Sequence, residues 1–308
     1  MSSNIVKKLF SNLKIPVMCA PMYIASNPKL VVAQCRSGIV GSFPAMNARG
    51  QLDAWLQKIK FNLGPLFHKK LLPPFAVNQI VHPYNKNLQE DMNVIIKHEV
   101  PIVITSLGTR REINDAVHSY GGIVLHDVTK NSRAREAISH GADGLIAIAA
   151  GAGGHAGQQS PFALMQEIRE WYGGPVGLGG CISNGSAVLA AKVMGADFAY
   201  IGSPFLATKE ANTAPEYKKM VVDCSAENII NTDFFTGAGA NYLGPSIPKH
   251  VDINHKTATS RWLEMPKVWS EIWACGQGIS NVTQIVTTNH LVRKWIREYE
   301  MKQKKYMY

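Results

Sequence analysis

Glycine-rich turns that carry polar side chains mark the places where this sequence could do chemistry. In the stretch AAGAGGHAG, Gly151, Gly153 and Gly154 lead directly into His155. Neutral imidazole is a good base near pH 7, and a glycine-rich turn can bring the ring against a flat ligand. A lone histidine is more often structural, but this setting favours a functional role for His155.

Two later stretches, GLGGC and YIGSPF, carry glycines suited to binding a phosphate. Gly179 and Gly180 lie in the first, and Gly202 and Ser203 lie in the second. Glycine lets backbone N–H groups approach a phosphate closely, and a helix N-terminus adds a favourable dipole. One such pair is weak evidence for phosphate binding, because tight turns need glycine anyway. Two pairs at neighbouring strand ends, however, predict a phosphate site. A side chain at Gly180 is then expected to block the phosphate without disturbing the fold.

Two apolar runs near the start end in residues that could contact an aromatic ring. CAPMY places Ala20, Pro21 and Met22 in one turn, and VNQI places Asn78 at the end of another run. The turn offers backbone and a thioether, although a purely structural role for Met22 fits the sequence equally well. A buried amide needs a hydrogen-bond partner, which the edge of a flavin ring would supply to Asn78.

A weak internal repeat, in which a helix ends in glycine and a short apolar strand follows, positions these residues. Two copies, AREAISH-GAD-GLIAIA and AVLAAKVM-GAD-FAYIG, are nearly identical in form. Helices are predicted between the strands, for instance over 161–172 and 183–194, with Ser183 as the N-cap of the second. Eight strands are predicted in all, at residues 16–22, 39–43, 75–80, 101–107, 123–128, 144–149, 175–179 and 198–201.

Eight alternating units predict an α/β fold, a closed (β/α)8 TIM barrel, because each parallel strand needs a crossover. A doubly wound open sheet is the alternative. Barrel active sites lie at the carboxyl ends of the strands, where the glycine stretches fall. The repeat stops after the eighth strand. Residues 209–260 predict a small cap of short helices and loop, and residues 261–308 predict helices packed through Trp262, Trp269, Trp273 and Trp295. One domain over 1–308 is expected.

Composition narrows the class of protein. With 46% hydrophobic and 18% charged residues, no long apolar run and no secretory signal, a cytoplasmic globular protein without a membrane helix is expected. The five widely spaced cysteines lack a C-x-x-C pair, which predicts free thiols and no metal site. The net charge of +10 comes from scattered residues and a basic tail, interpreted as a solvated helix and not as a nucleic-acid surface.

In their order and spacing, these motifs resemble the nitronate monooxygenase family, formerly called 2-nitropropane dioxygenases. The resemblance runs from about Pro16 to Ile247. The motifs that carry it are APM at 20–22, VN at 77–78, GAD followed by AGAGGHAG within 141–157, LGGCISNG at 178–185 and GADFAYIGSPFLATKEA at 195–211.

The resemblance implies a non-covalent FMN and the oxidation of alkyl nitronates by O2 to a carbonyl compound and nitrite. It implies that His155 is the catalytic histidine and that Asn78 lies beside the flavin. The remaining residues expected to contact flavin or phosphate are Ala20, Pro21, Met22, Gly153, Gly154, Gly179, Gly180, Tyr200, Ile201, Gly202 and Ser203. The expected partners are a small nitronate or nitroalkane and O2, with no nucleic acid and no membrane, and a homodimer is left open.

The sequence departs from the family pattern at a few places. Ile148 and Gly151 stand where many members have Gln and Glu, and Pro204 removes a cation and a donor found in many members. The flavin-dependent enoyl-acyl-carrier-protein reductases share the barrel and the Gly-Gly-His motif, so they are the alternative enzyme class. A non-catalytic flavin-binding barrel is the remaining alternative.

Overall fold

The computed structural model describes residues 12–253 and 270–307. Up to residue 201 the strands are β1 (Val17–Cys19), β2 (Gly41–Pro44), β3 (Phe75–Ile80), β4 (Ile102–Ser106), β5 (Ile123–Val128), β6 (Gly144–Ile148), β7 (Gly154–His155), β8 (Val176–Gly179) and β9 (Phe198–Ile201). All except β7 form one parallel sheet in the order β1-β9-β8-β6-β5-β4-β3-β2. A parallel bridge between Met18 and Val40 joins its two ends, so the sheet closes into a barrel.

Helices connect the barrel strands and surround them. They are α1 (Pro28–Ser37), α2 (Leu52–His68), α3 (Leu88–Lys97), α4 (Arg111–His118), α5 (Asn131–Ser139), α6 (Pro161–Arg169), α7 (Gly185–Val193), α8 (Ser203–Leu206), α9 (Pro215–Asp223) and α10 (Thr288–Met307). The last of these packs against α7 and α1. Its Trp295 is buried with its ring edge-on to Phe205, 5.4 Å between centroids. The final helix thus completes the outer layer of the barrel.

The predicted fold class is confirmed, and the open-sheet alternative is wrong. The strands predicted at 75–80, 123–128 and 198–201 have the observed bounds. The strand predicted at 39–43 lies at 41–44, and the other four are shorter than predicted. Gly38 ends α1 with a φ of 100° and donates to Cys35 O and Gln34 O, as the helix-then-glycine repeat predicts. The predicted N-cap of α7 is wrong by one residue. Asn184 accepts the Ala187 N–H, whereas the Ser183 hydroxyl accepts from Asn281.

The barrel interior is packed with side chains from alternate strand positions. The residues that fill it are apolar apart from the Tyr200 hydroxyl, and none of them is more than 8% exposed: Met18, Val40, Ala76, Ile102, Ile104, Ile123, Leu125, Ile146, Phe198 and Tyr200. A second, larger apolar layer lies between the strands and the helices. Polar side chains enter the interior at the carboxyl ends of the strands, where the site residues were predicted.

The segment that follows β9 differs from the predicted helices and loop. It contains α9 but also two strands, β10 (Ile229–Thr232) and β11 (Ala240–Leu243). They pair antiparallel with each other, and β11 pairs with β7. This small sheet joins the segment to the turn that carries His155.

The C-terminal part is helical over 288–307, as predicted, but residues 270–287 contain only a 3-10 turn, Gln277–Asn281. Trp262 and Trp269 lie outside the described residues. None of the helices within the two described ranges combines the length and the apolar character needed to cross a bilayer. All five cysteines are free. Cys181 is exposed, whereas Cys19, Cys35 and Cys275 are buried.

Candidate functional site

The predicted site residues gather at the carboxyl end of the barrel. Ala20, Pro21 and Met22 follow β1, and Asn78 is the fourth residue of β3. Tyr200 and Ile201 are the last residues of β9, and their side chains point to opposite sides of the sheet. Tyr200 packs inside the barrel, and Ile201 packs in the layer between strands and helices. Ile201 therefore offers the mouth only its backbone, and its carbonyl oxygen already accepts the Ala20 N–H at 2.8 Å.

Gly202 lies where the ends of β9 and β1 come close together. Its φ of −114° is one that any residue can adopt. A Cβ placed there would lie 3.3 Å from Ala20 Cβ and 3.6 Å from both Met22 Cγ and Sδ. The glycine is thus not required by backbone conformation. Its lack of a side chain lets the Ala-Pro-Met turn approach the end of β9 closely.

Gly180, at the end of β8, is required by the fold itself. Its φ is +129°, and a Cβ there would lie 2.9 Å from the carbonyl oxygen of Ala150. Side chains rarely adopt this backbone conformation, and backbone cannot move aside cheaply. The expectation that a side chain at Gly180 would leave the fold undisturbed is therefore wrong.

The glycine turn after β6 is held in place by backbone contacts. Gln277 N donates to Gly151 O at 2.9 Å, and Asn241 Nδ2 donates to Ala152 O at 2.6 Å. Gly154 and His155 then pair with Asn241 and Ala240 as strand β7. This turn is thus fixed by two distant segments, which gives His155 a defined direction.

The His155 ring has a defined tautomer. Its Nε2 lies 3.1 Å from Thr236 Oγ1, and that hydroxyl donates to Ala238 O at 3.0 Å. A hydroxyl has one proton to donate, so Thr236 accepts from Nε2–H and Nδ1 is the basic nitrogen of the neutral ring. The residue keeps exposed surface, yet partial burial of its ring lowers the pKa of His155 below its ordinary value. The ring is therefore neutral at pH 7, as a base requires.

A row of polar side chains crosses three neighbouring strand ends. Asn78 Nδ2 donates to Ile104 O at 3.0 Å and to Ser106 Oγ at 2.7 Å. Ser106 Oγ in turn donates to Asp127 Oδ2. Burial raises the pKa of the Asp127 carboxyl to about 6, against the opposing effect of the Ser106 hydrogen bond. Sequence reasoning found Asn78 but missed Ser106 and Asp127, although each is a polar residue near the end of an apolar strand.

A C-terminal segment, Cys275 to Gly278, lies across the two glycine loops and was also missed. Gly276 N donates to Ser203 Oγ at 2.9 Å, and Gln277 Oε1 lies 3.7 Å from Cys181 Sγ. Ser203 accepts in this bond and also contacts the neighbouring Cys275 thiol. The local signal was the Cys-Gly-Gln-Gly run, but nothing in it specifies a contact with a residue 73 positions away.

Comparisons with known proteins agree with this geometry. Residues 4–298 match the nitronate monooxygenase family. The Neurospora crassa nitronate monooxygenase is 26% identical over 259 residues, which cover 72% of this chain and 68% of that one. A Mycobacterium tuberculosis relative aligns over 165 residues at 26% identity, or 53% of this chain and 44% of that protein.

Two solved structures show the same fold. FabK from Thermotoga maritima superposes with a TM-score of 0.82 at 23% identity, over 98% of this chain and 97% of that one. The nitroalkane oxidase of Streptomyces ansochromogenes gives 0.79 at 23% identity, over 97% and 99%. At this identity, the structures establish the barrel and nothing finer. The family match over nearly the whole sequence goes further: this chain belongs to the nitronate monooxygenase family, and it is an oxidoreductase.

Proposed function

We propose that this protein is an FMN-dependent nitronate monooxygenase, which oxidises alkyl nitronates with O2 to a carbonyl compound and nitrite. The observation that carries the proposal is the family match over residues 4–298. The barrel mouth supports it, because a neutral histidine, a buried amide and three glycine-containing loops lie at the same end of the strands.

The residues at the mouth fit a flavin. Gly202 presents bare backbone beside Ala20 and Met22, and Asn78 gives both amide hydrogens to the protein. The Asn78 oxygen is thus left to accept a hydrogen bond, which the ring N–H of a flavin could donate. When bound, the flavin supplies electron transfer between the substrate and O2. Its ring would rest on Ala20, Pro21, Met22, Asn78, Gly153, Gly154, Gly179 and Tyr200, and its phosphate on Gly180, the Ile201 backbone, Gly202 and Ser203.

In this proposal, His155 is the catalytic residue. Removing a proton from the carbon beside a neutral nitro group needs a base, and Nδ1 of the neutral ring is that base. A nitronate has already lost this proton. Toward a nitronate, the same ring would only position the anion or assist the reaction with oxygen.

We further propose that residues 209–260 form a cap within a single domain spanning 1–308. The pairing of β7 with β11 gives this cap a role, since it ties the base to the segment that covers the mouth. The hydrogen bond from Gly276 N to Ser203 Oγ likewise joins the glycine loop after β9 to the C-terminal segment.

The cofactor prediction is FMN and not FAD. The glycine pairs after β8 and β9 provide one phosphate site, and the sequence contains no convincing dinucleotide fingerprint. Heat release of the cofactor from purified protein, followed by mass measurement, is expected to give FMN alone. Recovery of FAD would overturn the cofactor prediction, and a colourless protein that takes up neither flavin would overturn the proposed function.

Turnover with O2 tests the reaction. Added propionate 3-nitronate is expected to yield nitrite with consumption of O2. An enoyl-reductase activity would instead appear as oxidation of NADH with an enoyl thioester, without nitrite.

A further inference from the structure

The Asn78–Ser106–Asp127 row ends in a carboxyl group that neither the family resemblance nor the proposed reaction uses. In the strand register, Thr105 pairs with His126, so Ser106 and Asp127 follow at the same level of β4 and β5. Their side chains point toward the barrel mouth, because strand neighbours alternate. His126 faces the opposite side, where its Nδ1 lies 2.7 Å from Thr105 Oγ1.

Within residues 12–253 and 270–307, no cationic side chain compensates the charge of Asp127. Ser106 from β4 donates to it, and Asn78 from β3 orients Ser106. Ile146 and Ile148 of β6 are apolar. Tyr200 from β9 is the other ionisable group nearby, and burial, followed by Asp127 and Cys19, raises the pKa of Tyr200. Among the described residues, no lysine, arginine or histidine contributes to the Asp127 pKa.

A partly buried carboxylate without a cation responds strongly to a new negative charge. Desolvation already favours its protonated form, and a like charge placed nearby favours that form further. Two-electron reduction of a flavin at the mouth would add such a charge. The carboxylate can compensate this added negative charge by binding a proton from solvent, which keeps the local charge constant.

We propose that Asp127 is a redox-linked proton acceptor at the barrel mouth. When a bound flavin takes an electron pair from the substrate, an Asp127 carboxylate oxygen binds one proton from solvent. When O2 removes the electrons, the proton returns to solvent. Asp127 acts here as a positioning and charge-balancing residue. The inference rests on the proposed function, because it requires a flavin in the site.

The pH window follows from the direction of the shifts. Below a pH of about 6, Asp127 is protonated in the oxidised protein, so reduction adds no proton there. Above the higher pKa that Asp127 has in the reduced protein, Asp127 stays ionised whether the flavin is oxidised or reduced. Between these limits, reduction takes up one extra proton, so the midpoint potential falls more steeply with rising pH.

The test is the midpoint potential of the flavin-loaded enzyme, measured by dye equilibration between pH 5 and 9. Asp127→Asn keeps the shape and an oxygen for the Ser106 hydroxyl but cannot titrate. It is expected to remove the steepening that depends on Asp127 and to leave the ionisations of the flavin and of His155. Ser106→Ala removes the hydrogen bond that lowers the Asp127 pKa, so the window is expected to shift to higher pH.

The outcomes separate this inference from the proposed function. If wild type binds flavin and oxidises nitronates but shows the same pH dependence of potential as Asp127→Asn, the proton role is wrong and the function stands. If Asp127→Asn binds no flavin, the inference is tested by Ser106→Ala instead. A pH range of steep potential change that is the same in Ser106→Ala as in wild type would then overturn the inference. If wild type itself binds no flavin, the proposed function has failed.

Discussion

Replacing His155 with asparagine is expected to reduce the oxidation of neutral nitroalkanes by a factor of about 100 or more, the size of a lost general base. Asparagine keeps a polar side chain of similar reach but cannot take the proton. Preformed nitronates, which have already lost this proton, should lose much less activity, and flavin content should stay near that of wild type. The measurement is the steady-state rate with each form of one nitroalkane.

The hydrogen bond to Thr236 provides a graded control. Thr236→Val removes the acceptor of Nε2–H and leaves the ring present, so the expected loss is about 10-fold or less, one net hydrogen bond. The wild-type rate with neutral nitroalkanes should rise with pH as His155 loses its proton and level off by pH 7, because its pKa lies below 6.5. Equal losses on both substrate forms in His155→Asn would show that the residue binds or aids oxidation and is not the proton acceptor.

Adding a side chain at Gly202 is expected to weaken flavin binding by about 10- to 100-fold, because overpacking a site by one carbon costs about 1–3 kcal/mol. In Gly202→Ala the backbone conformation stays allowed, and the new methyl group projects between Ala20 and Met22. Flavin affinity by fluorescence quenching, together with the urea midpoint of the apoprotein, separates binding from stability.

Two other glycine variants serve as controls for Gly202→Ala. Gly173→Ala, at an exposed loop glycine with no atom within 4 Å of its added Cβ, should change neither quantity. Gly180→Ala should lower both, because its φ of +129° and the Ala150 carbonyl oppose any side chain. If Gly202→Ala binds flavin as tightly as wild type, the ring does not lie beside the Ala-Pro-Met turn.

The sequence could predict the barrel because its signal is local and repeated. Each unit pairs a helix of period 3.6 with a buried apolar strand, and Gly38 shows how a single residue marks the boundary. The glycine stretches and Asn78 were found for the same reason, since strand ends in a barrel share one face.

What the sequence did not reveal depends on contacts between distant segments. The two-residue strand that contains His155 exists only because β11 pairs with it, 85 positions later at Ala240 (240 − 155). Cys275 to Gly278 reach Ser203 and Gly151 across the top of the barrel, and no local pattern encodes that approach. Ser106 and Asp127 could have been found, since the reasoning that selected Asn78 applies equally to them.

Anaerobic addition of propionate 3-nitronate to the purified flavin-loaded protein tests the proposed function most directly. The nitronate is expected to reduce the flavin and bleach its visible absorbance, and admission of O2 should restore the colour. NADH at the same concentration should bleach it slowly or not at all. Rapid bleaching by NADH, with none by the nitronate, would contradict the assignment and place the protein with the flavin-dependent enoyl reductases.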